Sequence, residues 1–128
     1  MVKGRERIYL DRFWNELSAN PKAIDEETRQ HYAKLYARPG AMHAAFEQFA
    51  TFNTKDAADN KEFQKKGKLA MPILAIGAEK SFGETQAAVM REVGSNIEGA
   101  IITGSGHWIM EEQPAQTVSK VKAFLDRK

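Results

Sequence analysis

Met71-Pro72-Ile73-Leu74-Ala75-Ile76-Gly77 (MPILAIG) is a continuous apolar run of strand length, and Ile97–Thr103 (IEGAIIT) is a second. Neither run alternates polar with apolar residues, so each reads as a strand covered on both faces, the pattern of a parallel sheet. Pro72 is tolerated because the first positions of a strand need not all donate to the ladder. Between the runs, Glu84–Val93 reads as a helix closed by Gly94. Strand, helix and strand over about thirty residues make a βαβ unit, which demands parallel strands and a right-handed crossover. Pro114 then opens a last helix, on which Val118, Val121 and Leu125 are expected to face inward. Two parallel strands are not an independent sheet, and an open edge on such a pair is a pairing hazard. The C-terminal half therefore reads as one end of a larger sheet.

Upstream the period changes. In Arg5–Leu17, Leu10, Trp14 and Leu17 share one helical face, with Phe13 beside them. Asn20-Pro21 breaks that pattern. Asp25 is placed to cap a second helix, with Glu26 and Glu27 in its first turn, and this helix carries Tyr32, Leu35 and Tyr36 before Pro39. Gly40 opens a third helix with a stripe of Met42, Phe46 and Phe49, and Asn53–Lys68 reads as a polar loop with a short helical turn around Asp59–Gln64. The domain division that follows is 1–68 for a helical segment and 69–128 for the strand-bearing part.

Composition narrows the function. The 128 residues fit one domain, with 42% hydrophobic and 28% charged residues and a formal net charge of +2. Nearly balanced charge points to neither nucleic acid nor an anionic membrane as partner. With no cysteine, thiol catalysis and disulfides are excluded, and a reducing compartment, the cytoplasm by default, is compatible. MVKGRERIYLDRF has the basic residues of a signal peptide without its apolar stretch, and no run reaches the roughly 20 apolar residues that span a bilayer.

The chemistry-bearing stretch is Gly104-Ser105-Gly106-His107-Trp108-Ile109-Met110-Glu111-Glu112. In an open parallel sheet, ligands gather at the carboxyl ends of the strands. His107 follows one strand end and Gly77-Ala78-Glu79-Lys80-Ser81 the other, so both loops should meet at the same rim. An imidazole there can take and return a proton at neutral pH; it is equally a surface or helix-capping histidine. His31 and His43 stand on different helices without a metal-ligand spacing, GAEKSFGE lacks the phosphate-loop arrangement, and the lysines at 55, 61, 65, 66 and 68 form a solvated surface, so no metal or other cofactor is expected.

The ordered set MPILAIGAEKSFG (71–83), GSGHWIMEEQP (104–114) and a closing amphipathic helix resembles the C-terminal third of an α/β-hydrolase. GRERIYLDRFWNEL (4–17) and YAKLYARPGAMHAAFEQF (32–49) resemble the helical cap of its epoxide hydrolase and haloalkanoate dehalogenase branch. The resemblance implies a partial α/β-hydrolase fold: cap helices, then a βαβα unit holding the last two strands of an eight-stranded sheet. It makes His107 the general base that activates water against a covalent ester, with Trp108 packed beside it. It also implies a small hydrophobic substrate, met by Trp108 and by the cap stripe of Trp14, Tyr36, Phe46 and Phe49, of which the stripe residues are each also acceptable in a core.

Two positions depart from that pattern. Ser81 stands where many members carry the aspartate that orients the base, and a neutral hydroxyl cannot stabilise an imidazolium as a carboxylate does. Glu79 lies two residues too early and reads as a solvated turn residue. Phe49 stands where epoxide hydrolases often place a ring-opening tyrosine; Tyr32 and Tyr36 are the remaining phenols nearby, on a stripe that equally suits a core. No G-x-S-x-G elbow occurs in residues 1–128, and Ser105 precedes the histidine rather than opening a helix after a strand. The nucleophile is thus expected from a preceding hydrolase portion on another chain or a longer one. The competing expectation is a non-catalytic module that hides its sheet edge by forming a homodimer. A small complete hydrolase using Ser105 is a third.

Overall fold

The computed structural model describes residues 2–127, which divide into two compact units. The first comprises the chain up to Phe13 together with Ile24–Gly67; the second comprises Trp14–Ala23 together with the chain from Lys68 onward. The break after Gly67 falls where the apolar period changes from helical to strand. Trp14–Ala23 group with the strands, although sequence order sets them among the helices.

The first unit is helical. Helix α1 (Glu6–Leu17) gives it its opening turns, followed by α2 (Glu26–Tyr36), α3 (Ala41–Thr51) and α4 (Ala57–Gln64). Asp25 caps α2 as expected: its Oδ1 accepts the Thr28 N–H at 2.8 Å, which holds the carboxyl below the usual range. Arg7 bridges α1 and α2, with Nη1 and Nη2 donating to both oxygens of Glu26 at 2.7 Å and Nε donating to Asp11 at 2.8 Å. Arg29 donates to Asp11 at 2.7 Å and to the Ile24 carbonyl at 2.8 Å. The Arg7 bonds, with a further one from Gln30, lower the Glu26 carboxyl to about 2. Tyr9 meets the edges of Phe13 and Phe46 at ring separations of 5.2 and 5.6 Å.

The polar stretch after α3 is more ordered than its composition suggests. Phe52–Asp56 forms a π-helical turn that joins α3 to α4 without a break. Thr51 and Thr54 account for the distortion. Their hydroxyls donate to the Gln48 carbonyl and to the Ala50 and Thr51 carbonyls, competing with the regular helical ladder.

The second unit contains the sheet: β1 (Leu69–Ala78), α5 (Thr85–Val93), β2 (Gly94–Ile102), a single turn α6 (Ile109–Glu112) and α7 (Pro114–Leu125). β1 and β2 pair in parallel, with Ile73 opposite Ile97 and Ala78 opposite Ile102. The register slips between Leu69 and Pro72, where the proline cannot donate. Gly94 does not stop α5 with a left-handed turn; its φ of −128° and ψ of 148° already belong to β2. The core is small and sits between the strands and α5: Ala75, Ala78, Ala87 and Ile102 are buried, with Ile102 wholly enclosed.

One expectation is overturned. Val118, Val121 and Leu125 of α7 do not face inward but are 52%, 37% and 71% exposed. The inward positions are Thr117, which is buried, and Phe124, which is half-buried. The Thr117 hydroxyl bonds the Ile109 and Gln113 carbonyls, which docks α7 on α6 through the face that carries fewer apolar residues. Among the described residues the sheet has two strands, and no helix is long and apolar enough to cross a membrane.

Candidate active site

The site is built where both strands end. The Glu79 N–H donates to the Ile102 carbonyl and the Lys80 N–H to the Ser105 carbonyl, both at 3.0 Å. The Glu79 carboxylate accepts the Gly104 N–H at 2.7 Å. The two loops therefore lie side by side, as the parallel pairing requires. Glu79 is exposed, as read from the sequence, yet it is also the link between them. Gly104 adopts φ of +69°, the left-handed region where a side chain is strained.

Ser105 is fully buried, and its hydroxyl donates to the Ile102 carbonyl at 2.8 Å. A hydroxyl so enclosed and so bonded cannot meet a substrate, which removes the reading of a small hydrolase built on Ser105. Gly106 is needed for a different reason from Gly104. A Cβ there would lie 2.4 Å from both the Ala19 nitrogen and the Leu17 oxygen, so the end of α1 packs directly on this glycine.

His107 follows, exposed, with its N–H donating to the Leu17 carbonyl at 2.8 Å. Its ring stands edge-on to Trp108, 4.8 Å between centroids and 82° between planes. Among the described residues no carboxylate is bonded to the imidazole. Ser81 lies on the turn after β1, its N–H held by the Ala78 carbonyl. An orienting carboxylate is thus not supplied by the position where the family pattern sets it.

A residue that the sequence did not single out organises the loop. Glu112 ends α6 and is 8% exposed. Its Oε2 accepts the Ala19 and Asn20 N–H groups at 2.7 and 3.0 Å; its Oε1 accepts those of Gly106 and Trp108 at 3.0 and 3.3 Å. Burying a carboxylate costs several kcal/mol unless it is fully hydrogen-bonded. Four N–H donors, about 1.5–3 kcal/mol each for a charged acceptor, are of the size needed to offset that. In the sequence Glu112 looks like an ordinary acid in the first turn before a proline; only the fold brings Leu17–Asn20 against it.

The remaining predicted lining residues separate. Trp14 is buried at 4% and belongs to the strand-bearing unit. Tyr36, Phe46 and Phe49 belong to the helical unit and are 37%, 39% and 72% exposed. A groove of about 400 Å³ beside β2 and α7, lined by Leu74, Glu98, Lys120 and Arg127 among others, contains no residue of the His107 loop. Among the described residues no three metal-ligating side chains converge.

Comparison with known proteins agrees with this architecture. No family model matches the chain. Cfl2 from Burkholderia cenocepacia superposes with a TM-score of 0.88 at 31% identity, over 96% of this chain and 42% of that one. The epoxide hydrolase CorEH superposes with a TM-score of 0.89 at 24% identity, over 96% of this chain and 43% of that one. The chain has the fold of the C-terminal portion of an α/β-hydrolase, helices together with two parallel strands of one sheet. In sequence the chain is similar to an epoxide hydrolase. A soluble epoxide hydrolase of Corynebacterium sp. (strain C12) is 28% identical over 127 residues, or 98% of this chain and 43% of that protein. The chain spans less than half the length of the relatives it matches.

Proposed function

We propose that His107 is the general base for hydrolysis of a covalent ester formed when a small apolar epoxide is opened by a carboxylate nucleophile outside these 128 residues. In that step His107 takes a proton from water as the water oxygen attacks the ester carbonyl. The ester C–O bond breaks, the alcohol leaves with a proton, and the nucleophile returns to its carboxylate. The observation that carries the reading is the placement of His107: an exposed imidazole at the carboxyl end of a parallel strand, on a loop whose backbone is bonded on both sides. Trp108 beside the base supplies apolar surface for the substrate; Tyr36 and Phe49, exposed on the helical unit, are further candidates for contact with it. Phe49 carries no hydroxyl, so epoxide activation falls to Tyr32, Tyr36 or the nucleophile-bearing portion.

The test supplies that portion, as a separate chain or a fusion, and follows epoxide turnover. His107→Gln is expected to lower steady-state hydrolysis by about 10²–10⁴-fold while one equivalent of ester still accumulates. Undiminished turnover in the variant would overturn the reading.

A second reading rests on a separate observation, the exposed row Val118, Val121 and Leu125 together with an edge of β1 that no strand pairs among the described residues. It makes the chain a self-associating, non-catalytic module. Sedimentation decides: a tight dimer that neither binds the nucleophile-bearing portion nor hydrolyses epoxides supports it, and a monomer removes it.

A further inference from the structure

We infer that Glu112 is a positioning residue for His107, a buried carboxylate clamp that fixes the backbone on both sides of the imidazole to the end of α1. The inference rests on the role of His107 proposed above, but the geometry of the clamp stands independently of it.

Three consecutive amides hold the histidine in place. Those of Gly106 and Trp108 bond Glu112 Oε1, and that of His107 itself bonds the Leu17 carbonyl. The other carboxylate oxygen takes Ala19 and Asn20, the residues immediately after α1. One side chain thus holds amides that lie 93 and 92 residues before it together with those of its own loop, and sets the separation of the two segments. Gly106 completes the arrangement, since any side chain there would push the loop off Leu17–Ala19. All four donors to Glu112 are backbone N–H groups, so both oxygens act only as acceptors and none is turned to the imidazole. Glu112 is therefore not the missing base-orienting acid. It acts one step back, by restricting where the His107 Cα and Cβ can lie.

Glutamine has the same shape but one acceptor oxygen, and its amide NH₂ would face two N–H donors. Glu112→Gln on the 128-residue chain is read by amide hydrogen exchange and by the ring-current shift that Trp108 imposes on the His107 ring protons. The expected result is at least tenfold faster exchange at two or more of Ala19, Asn20, Gly106 and Trp108, with the His107 ring protons moving toward their free-histidine positions. Ala75→Gly, which loosens the buried part of β1 away from the loop, should lower the melting temperature and leave the His107 shift in place. Should Glu112→Gln fail to fold, Glu112→Asp keeps the charge on a shorter stem and should retain protection at one pair of amides only.

With the nucleophile-bearing portion supplied, Glu112→Gln should lower kcat roughly tenfold or more with KM little changed, as expected for a misplaced catalytic group. An unmoved His107 shift despite faster exchange, or an unchanged kcat in Glu112→Gln while His107→Gln is inactive, overturns the clamp. Activity surviving in His107→Gln overturns instead the role of the histidine, and the exchange and shift data then judge the clamp alone.

Discussion

The two units hold themselves together by different means. The helical unit is tied mainly at its surface: Arg7, Asp11, Glu26 and Arg29 form a charged lattice, and Tyr9 joins Phe13 and Phe46 edge-on, while among the described residues Ile24 is its buried apolar side chain. The strand-bearing unit encloses Trp14, Ala75, Ala78, Ala87 and Ile102, and with them Ser105, Glu112 and Thr117. The exposed Arg7–Glu26 pair is worth about 0–1 kcal/mol and the two pairs to Asp11 are only part-buried, whereas a buried, fully bonded carboxylate cannot lose its partners without a cost of several kcal/mol. The first kind of structure tolerates change residue by residue. The second fixes a geometry, and the candidate catalytic residue is found on it.

The sharpest way to break this contrast is at Gly106. Gly106→Ala puts a Cβ 2.4 Å from two backbone atoms that belong to the end of α1, not to a yielding side chain. A loss of about 2 kcal/mol or more in thermal or urea unfolding is expected, together with loss of amide protection at Ala19 and Trp108. A fully stable Gly106→Ala would mean that the contact between loop and helix end is not close.

A smaller and pH-bound effect belongs to the helical unit. The bonds from Arg7 and then Gln30 hold the Glu26 carboxyl at about 2, against an ordinary 4.5. Because the folded value is depressed, the stability it contributes is present above pH 4.5 and is lost as pH falls through about 2. Glu26→Gln should therefore flatten the acid limb of unfolding between pH 4.5 and 2, and it should do so for probes in the helical unit. An acid limb of unchanged slope would count against the Arg7 bridge. Since the carboxyl is open to solvent, raising the salt concentration should weaken the same limb in the parent chain.

The least effect on stability is expected at Phe49. With 72% of its surface exposed, Phe49→Ser should change unfolding by no more than about 0.5 kcal/mol. With the nucleophile-bearing portion proposed above supplied, the same change should raise KM for an apolar epoxide severalfold. A drop in stability above about 1 kcal/mol would show the ring to be a packing residue of the helical unit.

Much of this molecule was legible in its sequence because local chemistry decides local structure. The Asp25 cap, the proline that opens α7 and the unbroken apolar runs of β1 and β2 required no knowledge of distant residues. Parallel pairing followed from the runs, and with it the meeting of the Glu79 and His107 loops at one rim. The π-helical turn at Phe52–Asp56 was not legible, because two threonine hydroxyls outweigh a composition typical of loops. The orientation of α7 is not legible in the sequence, because a helix with apolar residues on more than one face does not say which face will find a neighbour.

The sequence by itself determined the strand–helix–strand order, the family resemblance and the histidine at the strand end. The tertiary structure decided that Glu112 is buried, that Gly106 admits no side chain and that Ser105 is sealed off from any substrate. Each depends on Leu17–Asn20 meeting Gly104–Glu112, or on how the strand ends close over the loop. Such long-range contacts leave no period in the chain, since they arise from packing between segments and not from the spacing within one.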